Sequence, residues 1–155
     1  MPAEKDANLL MVGAGTGIAP FRAFVRHIYQ QHGEWKGKVR LFYGAKSGVE
    51  MLYMNDFRKD LALYYDQPSF RAFEVISPRP QYDEPPELDR ALIENSREIW
   101  QMVQDPKTHV YVAGLLGAAK RFELGMEKLA GSRAGWQSMK ENLIAEKRYA
   151  ELLYE

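Results

Sequence analysis

The segment Gly13-Ala14-Gly15-Thr16-Gly17-Ile18-Ala19-Pro20 follows a short apolar run and leads into residues at helical spacing. Side chains this small let the main chain approach a phosphate closely. A helix opening at that point aims N–H groups and a partial positive charge at the anion. Thr16 adds a hydroxyl donor, and Pro20 is acceptable in a first helical turn. The spacing is neither the G-x-G-x-x-G dinucleotide fingerprint nor a P-loop, because no Gly-Lys-Ser/Thr follows. A phosphate cradle and a tight turn with a structural role are the two readings.

Other residues with chemical potential are scattered. Arg79 carries a guanidinium that matches a phosphate with two parallel hydrogen bonds, and Lys46 stands just after an apolar run. The alternative for both is an ordinary solvated charge. The chain has no cysteine, which excludes disulfides, thiolate metal sites and a cysteine nucleophile within it. That agrees with a reducing, cytoplasmic compartment. His27, His32 and His109 show no metal-ligand spacing. Trp100 lies on an apolar stripe with Leu92, Ile99 and Val103 and reads as core. Asp83 and Glu84, set among prolines, read as solvated loop acids. Lys140, Lys147 and Arg148 read as a solvated helix face, with docking of an acidic electron carrier as the alternative.

Apolar runs alternating with helical patterns position these groups, the signature of a parallel sheet with covering helices. Strands are expected at Asn8 to Val12, Val39 to Tyr43, Phe70 to Ile76 and His109 to Val112, with a short last one at Tyr149 to Tyr154. Helices are expected at Phe21 to Gln31, Leu52 to Tyr64, Leu88 to Val103, Ala118 to Leu129 and Trp136 to Lys147. Pro78 to Pro86, with its prolines, reads as a loop. The expected fold is a three-layer, doubly wound α/β domain on a parallel five-stranded sheet. Right-handed crossovers put helices on both faces, and ligands in such sheets bind beyond the carboxyl ends of the strands, where strand order reverses.

A chain of 155 residues, 46% hydrophobic and 27% charged, suits one ordinary globular domain. Basic and acidic residues balance at 21 each, so nucleic-acid binding gains no global electrostatic support. No apolar run approaches the length of a membrane span. Residues 1–7 read as a flexible N-terminal segment and 8–155 as the nucleotide-binding domain.

Gly15-Thr16-Gly17-Ile18-Ala19-Pro20-Phe21-Arg22 resembles the pyrophosphate-binding segment of the plant-type ferredoxin–NADP reductase family. Leu41-Phe42-Tyr43-Gly44, then Leu52-Tyr53-Met54-Asn55-Asp56-Phe57, then Tyr111-Val112-Ala113-Gly114-Leu115, and finally Tyr154, resemble its later landmarks in the family order. The resemblance implies the family's C-terminal NAD(P)-binding domain, a Rossmann-like module. Its partners would be an FAD-binding domain, absent from this chain, and an iron–sulfur carrier or oxygenase. It implies that Gly13, Gly15, Thr16, Gly17 and Pro20 form the diphosphate turn. Ala113, Gly114 and Leu115 would border the nicotinamide, and Tyr154 would stack on the flavin. Lys46, Ser77 and Arg79 would hold the 2′-phosphate of NADP(H). NAD is the alternative cofactor, although no acid stands at the end of the second strand. Two departures are visible. Ala113 replaces the family cysteine, and Glu155 extends the chain past the aromatic. The first keeps open a non-catalytic module that senses NAD(P)H without turnover.

Overall fold

The computed structural model describes residues 1–31, 33–53 and 60–155, with the backbone alone at Val49. Five parallel strands form one sheet: β1 (Asn8–Ala14), β2 (Val39–Ala45), β3 (Phe70–Ile76), β4 (Thr108–Leu115) and β5 (Tyr149–Tyr154). Their order across the sheet is β3-β2-β1-β4-β5. The helices are α1 (Ile18–Arg26), α2 (Leu88–Glu94), α3 (Ser96–Gln104), α4 (Leu116–Ala130) and α5 (Arg133–Ala145).

The alternation of side chains along β1 explains the three layers. Leu10 and Val12 enter a core with Phe42, Leu88, Leu92, Ile99, Phe122 and Trp136, under α2 to α5. Leu9 and Met11 enter the opposite core with Ile18, Phe21, Val25, Leu41 and Tyr43, under α1. Every residue of β1 and β2 is buried, as a strand covered on both faces requires. Chain order runs outward from β1 through β2 to β3, then returns to β4 on the other side of β1. The order therefore reverses between β1 and β4, and the glycine turn stands at that place.

Several boundaries differ from expectation. β1, β2 and β4 each run two or three residues further and take in the glycines expected to end them. α1 begins at Ile18 and ends at Arg26, and His27–Gln31 continues as a wider π turn. The expected single helix over Leu88 to Val103 is two helices. Asn95 adopts φ −111°, ψ 21° between them, and its amide donates to the Ala91 carbonyl at 2.8 Å. A side chain that bonds back onto its own helix competes with the helical pattern. Of the helix expected over Leu52 to Tyr64, the structure gives a 3-10 turn at Leu61–Tyr64. Residues 54–59, and with them four positions of the Leu52 to Phe57 landmark, lie outside the described residues, as does His32.

Trp136 is fully buried, its ring edge-on to Phe122 at 5.8 Å. Trp100 is only partly buried, against the edge of the same core. Among the described residues no helix is long and apolar enough to cross a membrane.

Candidate functional site

β1 delivers the chain to Gly15–Gly17, a single 3-10 turn, and α1 starts at the next residue. Gly15 sits at φ +57°, and a Cβ added there would meet nothing within 4 Å. Its main chain is therefore bare on the side that faces a cleft. Gly17 is glycine for the opposite reason. A Cβ there would lie 2.3 Å from the Ala113 carbonyl oxygen. Gly114, at φ +127°, has its own forbidden Cβ 2.6 Å from the Ala14 carbonyl oxygen. The turn after β1 and the end of β4 thus pack backbone to backbone, closer than any side chain allows. Gly13 lies inside β1, paired with Tyr43 and Ala113, with the Phe21 ring over its Cα.

Tyr43, on β2, props this turn. It is fully buried, and its hydroxyl donates to the Gly15 carbonyl at 2.9 Å and accepts from the Leu52 amide at 3.2 Å. Burial pushes its phenol up to about 12, so it stays a donor at any ordinary pH. In the sequence Tyr43 stands out only as a landmark, with no role of its own. The signal for one was a tyrosine in a mostly apolar buried strand, whose hydroxyl must find a partner.

The cleft beyond the strand ends measures about 490 Å³, within the usual size of a small-molecule site. Its walls are Ala14 and Gly15 from β1 and its turn, Gly44 to Lys46 from the end of β2, Leu115 with Gly117 and Ala118 from the start of α4, and Asp83 to Pro86. Neither α1 nor α4 has a side-chain cap or a carboxylate in its first turn. The α4 start lines the cleft and α1 opens just after the Gly15 turn that lines it; an uncapped helix start leaves N–H donors and positive potential for an anion. The start of α4 was not among the residues singled out from the sequence. Its Leu-Gly-Ala-Ala run offers small side chains but no capping residue as a signal. A depression of about 530 Å³ walled by Met1, Arg22, Arg26, His27 and Gln31 lies along α1, away from the strand ends.

The other residues singled out fall in two places. Around the nicotinamide side assigned by resemblance, Ala113 is buried between Gly13 and Leu152, Leu115 is half-exposed, and Tyr154 lies in register with Leu115. The Tyr154 hydroxyl is hydrogen-bonded to the Thr16 hydroxyl. Pro20 is in the first turn of α1 and carries no polar contact to the cleft.

Lys46, Ser77 and Arg79 gather at the opposite end, beyond β2 and β3. Asp83 is a solvated loop acid as expected, and both it and the half-buried Glu84 are also ion-paired. Lys46 is ion-paired with Asp83. Arg79 grips Glu84 with two hydrogen bonds, 3.0 Å from Nε and 2.5 Å from Nη2. The hydrogen bond and charge of Asp83 raise the Lys46 ammonium's pKa, and Lys46 in return lowers that of Asp83. Ser77 is buried, and its hydroxyl donates to the Glu84 carbonyl at 2.7 Å. Asp83 takes the left-handed region at φ 55°, which aspartate tolerates better than most residues.

Lys140 is not a free solvated charge. It is largely buried and bonded to Glu123 at 2.8 Å and Glu151 at 2.9 Å. Arg148 is held by Glu146 and the Thr108 carbonyl. Among the described residues no group of His, Asp and Glu is placed to hold a metal ion.

The oxidoreductase NAD-binding domain family model matches residues 11–123. The chain is 32% identical to the ferredoxin–NADP reductase of Synechocystis sp. over 155 residues, covering 96% of this chain and 37% of that protein. It is likewise 32% identical to that of Spirulina sp., covering 96% of this chain and 52% of the relative. The chloroplastic leaf isozyme 1 of Arabidopsis thaliana is 32% identical over 150 residues, 92% of this chain and 41% of that protein. The chain therefore spans about half or less of the length of these relatives. By the family match, the parallel order of its strands and the glycine turn at the strand reversal, this chain belongs to the oxidoreductase NAD-binding domain family, in the form carried by ferredoxin–NADP reductases.

Proposed function

We propose that this chain binds NADP(H) as the nucleotide-holding part of a flavin-dependent reductase, and sets the nicotinamide against an FAD carried by another domain or chain. One observation carries this reading: the bare main chain of Gly15, just before α1 opens, and the uncapped start of α4 line one cleft. The residues fit the cofactor. A diphosphate needs main-chain donors without side chains in the way, and Gly15 supplies that surface. The cleft runs from this turn to Lys46, so the adenosine end reaches the cations beyond β2 and the nicotinamide end lies towards Ala113, Gly114 and Leu115.

Bound nicotinamide supplies hydride chemistry, for which the distance and alignment of donor and acceptor carbons set much of the rate. The chain's own contribution is positioning. Gly17 and Gly114 lock the turn to β4, so the diphosphate site and the nicotinamide wall move as one body. Ala113 offers a buried, inert methyl where the resemblance expects a thiol. Tyr154, half-exposed at the sheet edge, is placed to meet a flavin. An iron–sulfur carrier or oxygenase would take the electrons onward.

Calorimetric titration with NADP and with NAD tests the reading. The expected result is saturable binding of NADP with Kd below about 1 mM, roughly −4 kcal/mol, weakened in Gly15→Val. Absence of binding by either nucleotide overturns it.

A further inference from the structure

We propose that Asp83 and Glu84 are specificity-determining residues: internal counter-ions that occupy Lys46 and Arg79, compete with a 2′-phosphate and make the site accept NAD(H) alongside NADP(H). The proposal rests on the dinucleotide reading above. The linear sequence shows no acid at the end of β2, where a carboxylate holds the ribose hydroxyls of NAD. Folding supplies one. The loop after β3 returns to the end of β2, and Asp83 is paired there with Lys46, the residue that follows Ala45. Glu84 stands beside it and accepts two hydrogen bonds along the Nε–Nη2 edge of the Arg79 guanidinium.

The arrangement is built, and the ends that meet the ligand are open to solvent. Ser77, buried and bonded to the Glu84 carbonyl, fixes the loop's main chain. The side chains themselves are largely exposed: 48% for Lys46, 85% for Asp83 and 63% for Arg79, with Glu84 at 30%. Exposed ion pairs are weak, so a 2′-phosphate can displace them. It gains charge-assisted bonds to Lys46 and Arg79 but loses those the two carboxylates made, and the carboxylates stay close enough to repel it. A cofactor with a plain ribose leaves both ion pairs intact and can donate its hydroxyl to Asp83. Glu50 and Glu87 add negative charge on the same side, acting on Lys46 and Arg79 respectively.

The test is the ratio of NADP to NAD affinity, measured calorimetrically for the chain and for Asp83→Asn with Glu84→Gln. These replacements keep shape and the Ser77 anchor, which uses the Glu84 main chain. The ratio is expected to rise in favour of NADP by about tenfold, the effect of one charge-assisted hydrogen bond. Each single replacement is expected to move it part of the way. A ratio unchanged within about twofold, in variants that melt as the parent does, overturns the proposal and leaves dinucleotide binding standing. Failure of the parent to bind either nucleotide overturns both. Should the double variant fail to fold, Asp83→Asn alone decides, since the exposed Asp83 side chain supports no buried group.

Discussion

The hydroxyls of Thr16 and Tyr154 are hydrogen-bonded to each other, tying the turn after β1 to the last strand across 138 residues of sequence. Thr16 is the one side-chain donor in the glycine turn, so a ligand that wants it must first take it from Tyr154. Tyr154→Phe removes the competitor. The expected result is a fall in the Kd for NADP by a factor of about 2 to 10, the range of one exposed hydrogen bond. With Thr16→Val already in place, Tyr154→Phe should leave the Kd unchanged.

Gly15 and Gly17 stand two residues apart and should fail in different ways. Gly17→Ala drives a methyl into the Ala113 carbonyl, which is backbone and cannot rotate aside. A loss of at least about 1–3 kcal/mol is expected, as for overpacking generally, read as a lower denaturation midpoint at constant m-value. Gly15→Ala enters open space and meets only the cost of a left-handed residue, about 1–2 kcal/mol. Its larger effect should be on nucleotide affinity, because the methyl covers the surface the diphosphate needs.

Alkaline unfolding should begin just above the ordinary tyrosine range. Burial pushes the phenol of Tyr43 from 10.0 up to about 12, and Tyr149 is raised too, again first by burial. Above pH 10 the unfolded chain loses these protons and the folded chain keeps them, so stability is full below pH 10 and falls as pH rises towards 12. Tyr43→Phe should flatten that limb while costing about 1 kcal/mol at neutral pH through the lost bond to Gly15.

Glu98 contributes to the acid limb. Its hydrogen bond from Arg40, at 2.6 Å, outweighs burial and holds its carboxyl below the ordinary 4.5. A depressed carboxyl stabilises the fold above its unfolded value, and that stability disappears as pH falls through the folded one. Glu98→Gln leaves Arg40, a nearly buried guanidinium, without its charge partner. It should lower the melting temperature at pH 7 and reduce the loss of stability between pH 5 and 3.

Local rules made the glycine turn and the strands β1, β2 and β4 readable, because short, mostly apolar runs closed by glycine suit buried parallel strands. Tyr43's role and the capture of Lys46 and Arg79 by Asp83 and Glu84 were not readable. The first depends on where the turn after β1 and the segment at Leu52 land, the second on the loop after β3 returning to the end of β2. Asp83, paired with Lys46, adopts a left-handed conformation between Pro80 and Pro85, a choice that charge and proline content do not reveal. The break at Asn95 had a signal, an Asn-Ser pair inside a helical pattern, but one that the strong stripe of Leu92, Ile99 and Val103 concealed.

The central claim is that bare amides opening α1 and α4 hold the diphosphate of a nicotinamide dinucleotide. Amide chemical shifts of the chain, followed by NMR during titration with NADP, test it most directly. Saturable shifts concentrated at Gly15 to Ile18 and at Leu115 to Ala118 are the predicted result. Shifts confined to other surfaces, or none at millimolar nucleotide, would contradict it.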